Sequence, residues 1–336
     1  MSYRIGSFNV RNLALGPERD LDRMAAIIND NQLDIVAMQE VLSEGKVLTG
    51  IGLNDTSGQA KAYEYSLKRR LRGNWRVCWR DPKTRAKDYP YLGDDKRGEG
   101  YAFLWNSDRI ELPRNESGQE IYPQIWHQYK HKSEGLLRLI RDPLYGRFKV
   151  KNLNAEIRLI STHIVFGKPK PENFDADLDV GAVEMRRREF RTLAGYIYPR
   201  IAEYYKDTNC VVPYTIILGD YNLNLPESGV GKALLPSVIY FDRNGHIHEA
   251  MDDSTYVVHT VQREKTTINR EGTAYSSNYD HFSYDDRVNG IVKRVERIDA
   301  VHQHTKAEDT TEESHFERFK TEVSDHVPIL LEIDFR

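Results

Sequence analysis

The sequence lacks the features that mark secreted and membrane-spanning proteins. Its 336 residues include only two cysteines, Cys78 and Cys210, which excludes a disulfide framework and favours a reducing compartment. No apolar run approaches the roughly 18 residues of a membrane span. The formal net charge is −3, so no overall positive charge would attract a polyanion, and any such binding must be local.

The start of the chain also lacks a targeting signal. The segment MSYRIGSFNV begins directly with the alternation of a strand, without a basic region or an apolar region. We therefore expect a cytoplasmic protein with no membrane contact, and nothing in the sequence indicates an obligate protein partner. Because no repeat or low-complexity linker is present, we expect a single domain over residues 1–336 with surface insertions near 81–98, 106–135 and 167–181.

Apolar periodicity predicts a protein that is richer in strands than in helices. Leu21, Met24, Ala25 and Ile28 have the spacing of an amphipathic helix, and a long helix is predicted over 182–205. The pattern indicates stacked sheets flanked by helices, with a site built from the loops at strand ends. Strands are predicted at 3–10, 34–38, 101–105, 147–150, 157–161, 216–218, 238–241, 279–283, 297–301 and 326–333.

Polar side chains of the metal-binding and proton-transfer types lie at the ends of these strands. Each one alone is explained by a turn or a helix cap. Repetition at seven strand ends is harder to explain, because burying a carboxylate costs free energy unless a cation or a hydrogen-bond donor compensates it. The set comprises Asn9, Glu40, Glu99, His163, Asp220, Asn222, Asp280, His281, Asp325 and His326.

If these residues meet at one rim, the pocket contains oxygen and imidazole ligands and no thiolate. Such a donor set suits Mg²⁺ or Mn²⁺, with Ca²⁺ as a candidate structural ion. Hard cations indicate phosphate chemistry. His163 and His326 would then act as acid and base, each oriented by a carboxylate, for which Glu99 and Asp280 are the candidates.

Seven motifs together resemble those of the endonuclease/exonuclease/phosphatase superfamily, and are most similar to its DNase I-like nuclease branch. They extend over nearly the whole chain and occur in the order of that family. The resemblance implies a four-layer α/β sandwich, in which two mixed, mostly antiparallel sheets pack face to face with helices outside. The motifs are SFNVRN (7–12), AMQEV (37–41), GEGYAFLW (98–105), STHIVFG (161–167), LGDYNL (218–223), NYDHF (278–282) and SDHVPI (324–329).

The resemblance also implies a role for each matching residue. Glu40 is implied to be the principal metal ligand, with Asn9 and Asp325 supporting that site, while Asp220 and Asn222 hold a second metal or the scissile phosphate. His326 with Asp280 would activate water, and His163 with Glu99 would protonate the leaving oxygen. Arg141 would contact phosphate. Substrate contacts are further expected from Asn9, from His281, where the branch has arginine, and from Arg97, where it has tyrosine.

The function implied is that of a divalent-metal-dependent DNA endonuclease. A phosphatase or phosphodiesterase for a small or lipid phosphate is the alternative, since it would use the same machinery, and a catalytically inactive binding protein ranks last because the polar set is complete. Residues 61–87 carry ten Lys or Arg against two acidic residues, interleaved with Trp75 and Trp79. This segment is either a surface that follows a nucleic-acid backbone or a solvated helix followed by a strand with core tryptophans. Arg186, Arg187, Arg188 and Arg191 are expected on the exposed face of the long helix.

Overall fold

The computed structural model describes most of the chain, and the strands and helices below lie in that part. Fifteen strands and seven helices are present there. The described residues are 1–14, 19–42, 46–50, 66–82, 99–126, 139–165, 182–204, 211–224, 238–241, 247–250, 257 and 259–335.

The strands, in chain order, are β1 (Ser2–Leu13), β2 (Ile35–Val41), β3 (Trp75–Arg80), β4 (Gly100–Asn106), β5 (Ile110–Glu111), β6 (Gln124–Ile125), β7 (Leu144–Val150), β8 (Ala155–His163), β9 (Val212–Asp220), β10 (Val238–Phe241), β11 (Ile247–Ala250), β12 (His259–Val261), β13 (Asp280–Tyr284), β14 (Val292–Arg297) and β15 (Ile329–Asp334). They form two large sheets and a β10–β11 ribbon. The first sheet has the order β14-β15-β1-β2-β4-β3, and the second has the order β12-β13-β9-β8-β7-β5, with β6 also pairing with β7.

The helices are α1 (Leu21–Asp30), α2 (Lys46–Thr49), α3 (Leu67–Arg70), α4 (Ala182–Thr192), α5 (Tyr198–Tyr204), α6 (Asp286–Asn289) and α7 (Glu312–Glu322), with a π-helical turn at Leu193–Ile197 between α4 and α5. Local sequence signals start the helices. The side chain of Asp20 accepts a hydrogen bond from the Arg23 N–H at 2.8 Å and caps α1. Thr311 and Ser314 form a reciprocal capping box at the start of α7.

Three apolar layers separate the two sheets and the helices on either side. Alternate residues of a central strand pack in different apolar layers, because successive side chains point to opposite faces of a sheet. In β9, Ile216 and Leu218 enter the layer between the sheets, whereas Ile217 packs with Phe190 and Leu193 of the α4 region. A third layer joins the first sheet to α1 and α7. This arrangement confirms the predicted four-layer sandwich.

Most predicted strands are present, although their ends differ. The strand predicted at 297–301 is wrong, because β14 covers Val292–Arg297 and the chain then turns. The apolar residues that suggested it, Ile298, Ala300 and Val301, are buried against the helix layer. Of the predicted insertions, 106–135 contains β5 and β6 within its described part, and almost all of 81–98 and 167–181 lies outside the described residues.

Candidate active site

Each sheet has one parallel pair of strands at its centre, and each of these four strands carries one of the predicted site residues. The pairs are β1 with β2 and β8 with β9, and the four predicted site residues on them are Asn9, Glu40, His163 and Asp220. Parallel strands end at the same edge of a sheet, so their terminal residues become neighbours. In the second sheet His163 is in register with Asp220, and Asp220 with Asp280 on the antiparallel β13. Three sequence-distant residues are thereby placed side by side.

Irregular backbone at the ends of the first parallel pair directs side chains into the site. The pairing of β1 with β2 shifts register after Asn9, and the pairing of β2 with β4 shifts between Met38 and Val41. Such bulges commonly reorient a side chain. Glu40 lies in the second shift with a φ of +60°, a conformation that costs free energy for a residue other than glycine and is typical of functional positions.

Gly219 explains how β9 reaches the site. Its φ is +136°, and a Cβ there would lie 2.0 Å from the Thr162 carbonyl oxygen on β8. A side chain at this position would therefore separate β8 from β9 just before Asp220. The glycine allows His163 and Asp220 to stay in register at the strand ends.

The first of two clusters contains Glu40, Glu99 and His163, and we call it the Glu40 cluster. One candidate ligand atom from each residue lies within 4.8 Å of the others. Arg141 adds a positive charge: one guanidinium nitrogen lies 2.7 Å from His163 Nδ1, and another lies 2.5 Å from Glu99 Oε2. Glu99 was predicted to orient His163. The side chain that contacts His163 Nδ1 is instead that of Arg141, and Glu99 binds Arg141.

The second cluster contains Asp220, Asp280 and His326, and we call it the Asp280 cluster. Its candidate ligand atoms also lie within 4.8 Å of one another. His326 Nδ1 is 2.9 Å from Asp280 Oδ2, as the predicted pairing requires, and His326 Nε2 is 3.7 Å from Asp220 Oδ2. The same Asp220 oxygen is 3.7 Å from His163 Nε2. Asp220 therefore lies between the two histidines.

Asn9 links the clusters. Its amide nitrogen donates to Glu40 Oε1 and to Asp220 Oδ2, both at 3.0 Å, and its amide oxygen accepts the Arg11 N–H at 3.0 Å. The Arg11 N–H fixes the orientation of the amide, since the reverse orientation would place two donors together. In this orientation Asn9 presents hydrogen-bond donors to the carboxylates, which disagrees with its predicted role as a metal ligand.

The two histidines have opposite pKa shifts. Burial lowers the pKa of His163 well below its usual range, and the positive charges of Arg141 and His326 lower it further. Burial also acts to lower the pKa of His326, but the carboxylates of Asp280 and Asp220 outweigh it and raise this pKa. The pKa of Asp220 is itself raised by burial. At neutral pH His163 is therefore uncharged and His326 is an imidazolium.

Two other predicted residues lie outside the clusters. Asn222 has a φ of +51°; its backbone N–H donates to Asp220 Oδ1 at 2.8 Å and its amide donates to the Ile164 carbonyl at 2.7 Å. Asn222 therefore fixes Asp220 and the end of β8. Asp325 lies 3.3 Å from the Arg11 Nε and belongs to neither cluster among the described residues. Its predicted role as a metal ligand therefore has no support from this geometry.

His281 is turned away from the clusters. Its ring is fully buried, Nδ1 faces the Gln262 carbonyl at 3.2 Å, and Nε2 faces the carbonyls of Leu223 and Asn278 at 2.9 and 3.0 Å. These contacts occupy both ring nitrogens and hold neighbouring loops together, and they give the predicted substrate contact no support. Arg97 lies outside the described residues.

Sequence reasoning did not single out several polar residues beneath the site. The Tyr101 hydroxyl accepts the His163 N–H at 3.0 Å, and the Gln39 amide donates to Ser161 Oγ at 3.0 Å. Both contacts cross from the first sheet to the second. The motif AMQEV could have indicated a role for Gln39, which precedes Glu40. Nothing in the sequence distinguishes Tyr101 from other residues of a buried strand.

The long helix also contributes buried charge. Arg186 was expected on its exposed face, but its side chain is buried, hydrogen-bonds the Tyr279 side chain and interacts electrostatically with Asp220. Glu189, three residues later and on the same face of α4, is buried as well. The prediction of an exposed arginine run is therefore wrong for Arg186.

The basic segment has a structural explanation where it is described. Residues 66–82 hold six of its ten cations, and Arg70, Arg72 and Arg76 pair with Asp22, Asp30 and Glu120. Trp75 is buried in the core, and Trp79 donates from its indole nitrogen to the Val41 carbonyl. These contacts favour the solvated helix and strand.

The donor set of the two clusters fits a hard divalent cation. It offers carboxylate oxygens beside two imidazole rings and no thiolate. Asp280 Oδ1 is buried without a hydrogen-bond partner among the described residues, and a buried carboxylate oxygen in that state is costly unless a cation compensates it.

Comparisons with known proteins agree with the predicted fold. No family model matches the chain, and no curated protein matches it in sequence. Among solved structures, an endonuclease/exonuclease/phosphatase family protein from Bacteroides thetaiotaomicron is 16% identical with a TM-score of 0.54, and the alignment covers 100% of this chain and 98% of that one.

Two further structures are similar over the same length. D. rerio TDP2, humanized by 14 mutations, is 14% identical with a TM-score of 0.52, and the alignment covers 99% of both chains. A mannosyl-6-phosphatase from Bacteroides thetaiotaomicron VPI-5482 is 16% identical with a TM-score of 0.52, covering 99% of this chain and 100% of that one. The chain thus has the DNase I-like fold of the endonuclease/exonuclease/phosphatase superfamily, as its motifs predict.

Across the described residues, no helix combines the length and apolarity needed to span a membrane.

Proposed function

We propose that this protein is a divalent-metal-dependent phosphodiester hydrolase that acts as a DNA endonuclease. The supporting observation is the convergence of the Glu40 and Asp280 clusters, which bring four carboxylates and two histidines from both sheets to one edge. Gathering these carboxylates and histidines in a largely buried position costs free energy and does not stabilise a fold. It suits a site that receives a cation and a phosphate.

In this proposal Glu40 and Glu99 in one cluster, and Asp220 and Asp280 in the other, would hold Mg²⁺ or Mn²⁺. The ion would neutralise charge on the phosphate and lower the pKa of a bound water. Arg141, fixed by Glu99 and His163, would contact a phosphate oxygen. Asn9 would keep the carboxylates of Glu40 and Asp220 at a set separation.

The pKa shifts support roles for the two histidines that differ from those expected from sequence. His163 accepts at Nδ1 from Arg141, so its remaining proton is on Nε2, where a neutral ring can donate a hydrogen bond to a phosphate oxygen. His326 is held as an imidazolium by Asp280 and Asp220. It would therefore supply the proton to the leaving oxygen, in place of His163.

A cleft beside the site favours a polymeric substrate. It has a volume of about 600 Å³, and it begins at Asn12, whose backbone N–H donates to Glu40 Oε2 at 3.2 Å. Cationic side chains that line a groove next to the cleavage site suit contacts to successive phosphates of a nucleic acid. The lining residues are Arg11, Asn12, Arg19, Glu271, Gly272, Glu317, Lys320 and Thr321.

A phosphatase acting on a small or lipid phosphate is the second candidate. The similar mannosyl-6-phosphatase supports it, because a sugar phosphate requires the same charge stabilisation with a different rim. Purified protein with Mg²⁺ or Mn²⁺ should cleave plasmid DNA and leave mannose 6-phosphate, inositol phosphates and sphingolipid phosphates intact. Cleavage of the small phosphates alone would reject the DNA proposal.

A variant in the cleft separates the two candidates further. Lys320→Gln should raise KM for DNA several-fold and leave KM for bis(4-nitrophenyl) phosphate unchanged, since the small diester does not reach the cleft. Lys293→Gln is the matched control, because Lys293 contacts Ser2 and Asp334 at the opposite end of the first sheet. Equal KM changes for both substrates in Lys320→Gln would contradict a role of the cleft in DNA binding.

A further inference from the structure

Glu189 is a buried carboxylate behind the Glu40 cluster that belongs to neither cluster. It lies on α4, where neighbouring residues such as Phe190 pack into the apolar layer under the second sheet. Its side chain is almost fully buried. Glutamate is rarely buried unless specific contacts stabilise its charge.

The contacts of Glu189 are with the backbone of two separate loops. Oε1 accepts the Ile140 N–H at 2.7 Å, and the carboxylate also accepts the Val165 N–H. Ile140 precedes Arg141, and Val165 follows His163 by two residues. One carboxylate thus joins the loop that carries the arginine to the loop that carries the histidine.

The position of these loops explains why a side chain is needed. They lie at the ends of β7 and β8, where the ladder between the strands reaches Leu144 and Ser161 and goes no further. A buried N–H beyond the ladder requires another acceptor, and a carboxylate has enough lone pairs for two.

On the basis of the proposed function, we propose that Glu189 is a positioning residue for phosphodiester cleavage, which holds Arg141 and His163 at their 2.7 Å contact by binding the backbone of both loops. It touches neither substrate nor metal and acts through these two residues. Burial raises the pKa of Glu189 to about 7, while the two N–H donors and Arg141, which favour the charged carboxylate, act in the opposite direction. If position 189 served only for packing, leucine or glutamine there would make the folded protein more stable than a buried glutamate does.

The first test is structural and does not depend on activity. In Glu189→Gln one acceptor oxygen replaces two, so hydrogen exchange at Ile140 or Val165 should accelerate at least about tenfold relative to the wild type. Ile197→Val and Ile197→Ala alter the same apolar layer without changing a residue of either loop, and they serve as controls for the accompanying loss of stability. Unchanged exchange at both amides in Glu189→Gln would overturn the proposal, even if the wild type proved to be no nuclease.

The second test asks whether Glu189 acts through Arg141. Glu189→Gln should lower kcat about tenfold or more, whereas the Ile197 variant of equal stability should stay within about twofold of the wild type. In an Arg141→Met background, Glu189→Gln should produce no further loss beyond about twofold. Additive losses would show that Glu189 acts independently of Arg141 and would overturn the assignment. Normal wild-type cleavage with no effect of Glu189→Gln would reject the positioning role and leave the proposed function intact.

Discussion

The Glu40 and Asp280 clusters have the same composition, two carboxylates and a histidine, but they differ in what faces the histidine Nδ1. In the Glu40 cluster it is the guanidinium of Arg141 at 2.7 Å, and in the Asp280 cluster it is a carboxylate at 2.9 Å. Burial acts to lower both pKa values, and the neighbours then act in opposite directions: Arg141 lowers the pKa of His163 further, whereas Asp280 and Asp220 raise that of His326. Residue type alone therefore does not determine the protonation state of a buried histidine, because the charges that face the ring also act on its pKa.

The largest expected effect comes from the residue that both histidines share. Asp220 Oδ2 is 3.7 Å from each Nε2 and bonds to Asn9. Asp220→Asn should lower kcat for plasmid cleavage by on the order of 10²–10³, as removal of one charge-stabilising group does in other hydrolases. Steady-state kinetics with Mg²⁺ measures this directly.

Asp325→Asn is the matched control for Asp220→Asn. Asp325 was expected among the metal ligands, but it pairs with Arg11 outside both clusters. Its substitution should change kcat by less than about fivefold, since a partly exposed ion pair contributes little. Equal losses in the two variants would mean that the division into two clusters misplaces the metal site.

The next effect concerns the charge that separates the clusters. Arg141→Met removes the cation beside His163 Nδ1 and should raise the His163 pKa by about 1–3 units. An NMR titration of the imidazole Cε1–H signals in metal-free protein measures the shift, with the surface residue His302 as an internal reference. A His163 pKa that stays low in the variant would assign its depression to burial alone, and the contrast between the clusters would no longer rest on Arg141.

A third prediction uses the linkage between protonation and stability. The pKa of His326 is raised to about 10 in the folded protein, so its contribution to the free energy of unfolding is complete below the unfolded value near 6.5 and is lost as pH rises to about 10. Metal-free wild type should therefore lose stability between pH 7 and 10 relative to His326→Gln. Urea midpoints at pH 7, 8, 9 and 10 test this.

Asp280→Asn provides the corresponding control, because it removes a main source of the raised pKa. The pH dependence of its stability should approach that of His326→Gln. If wild type and His326→Gln instead gave parallel curves from pH 7 to 10, His326 would be neutral in the folded protein, and its proposed role as proton donor would fail.

The sequence predicts the layers and the location of the site well, because both depend on local pattern. A strand such as β9, apolar on both faces, fits only between two apolar layers. The convergence of the polar strand ends was a conditional expectation that the family resemblance supported, and the register of β8, β9 and β13 brings His163, Asp220 and Asp280 side by side.

Orientation and partner choice were not predictable in the same way. The direction of the Asn9 amide depends on the Arg11 N–H, which is placed by a φ of +41° at Arg11 itself. Arg186 is buried because of the loop that carries Tyr279, and no helical periodicity contains that information. His281 matched a functional motif, yet three carbonyls, two of them from distant loops, surround it.

The smallest effect tests how firmly the two halves are joined. The Gln39 amide lies between Ser161 Oγ of the second sheet, at 3.0 Å, and Ser7 Oγ of the first, at 3.3 Å, all fully buried. Gln39→Leu leaves the two hydroxyls without this partner and should reduce the free energy of unfolding by about 1–3 kcal/mol. Because replacing all partners by apolar groups removes the unpaired polar atoms, the triple variant Ser7→Ala, Gln39→Leu, Ser161→Ala should recover most of that loss in urea unfolding. A triple variant no more stable than Gln39→Leu would show that shape at this position, and not the hydrogen bonds between the sheets, maintains the spacing of the two clusters.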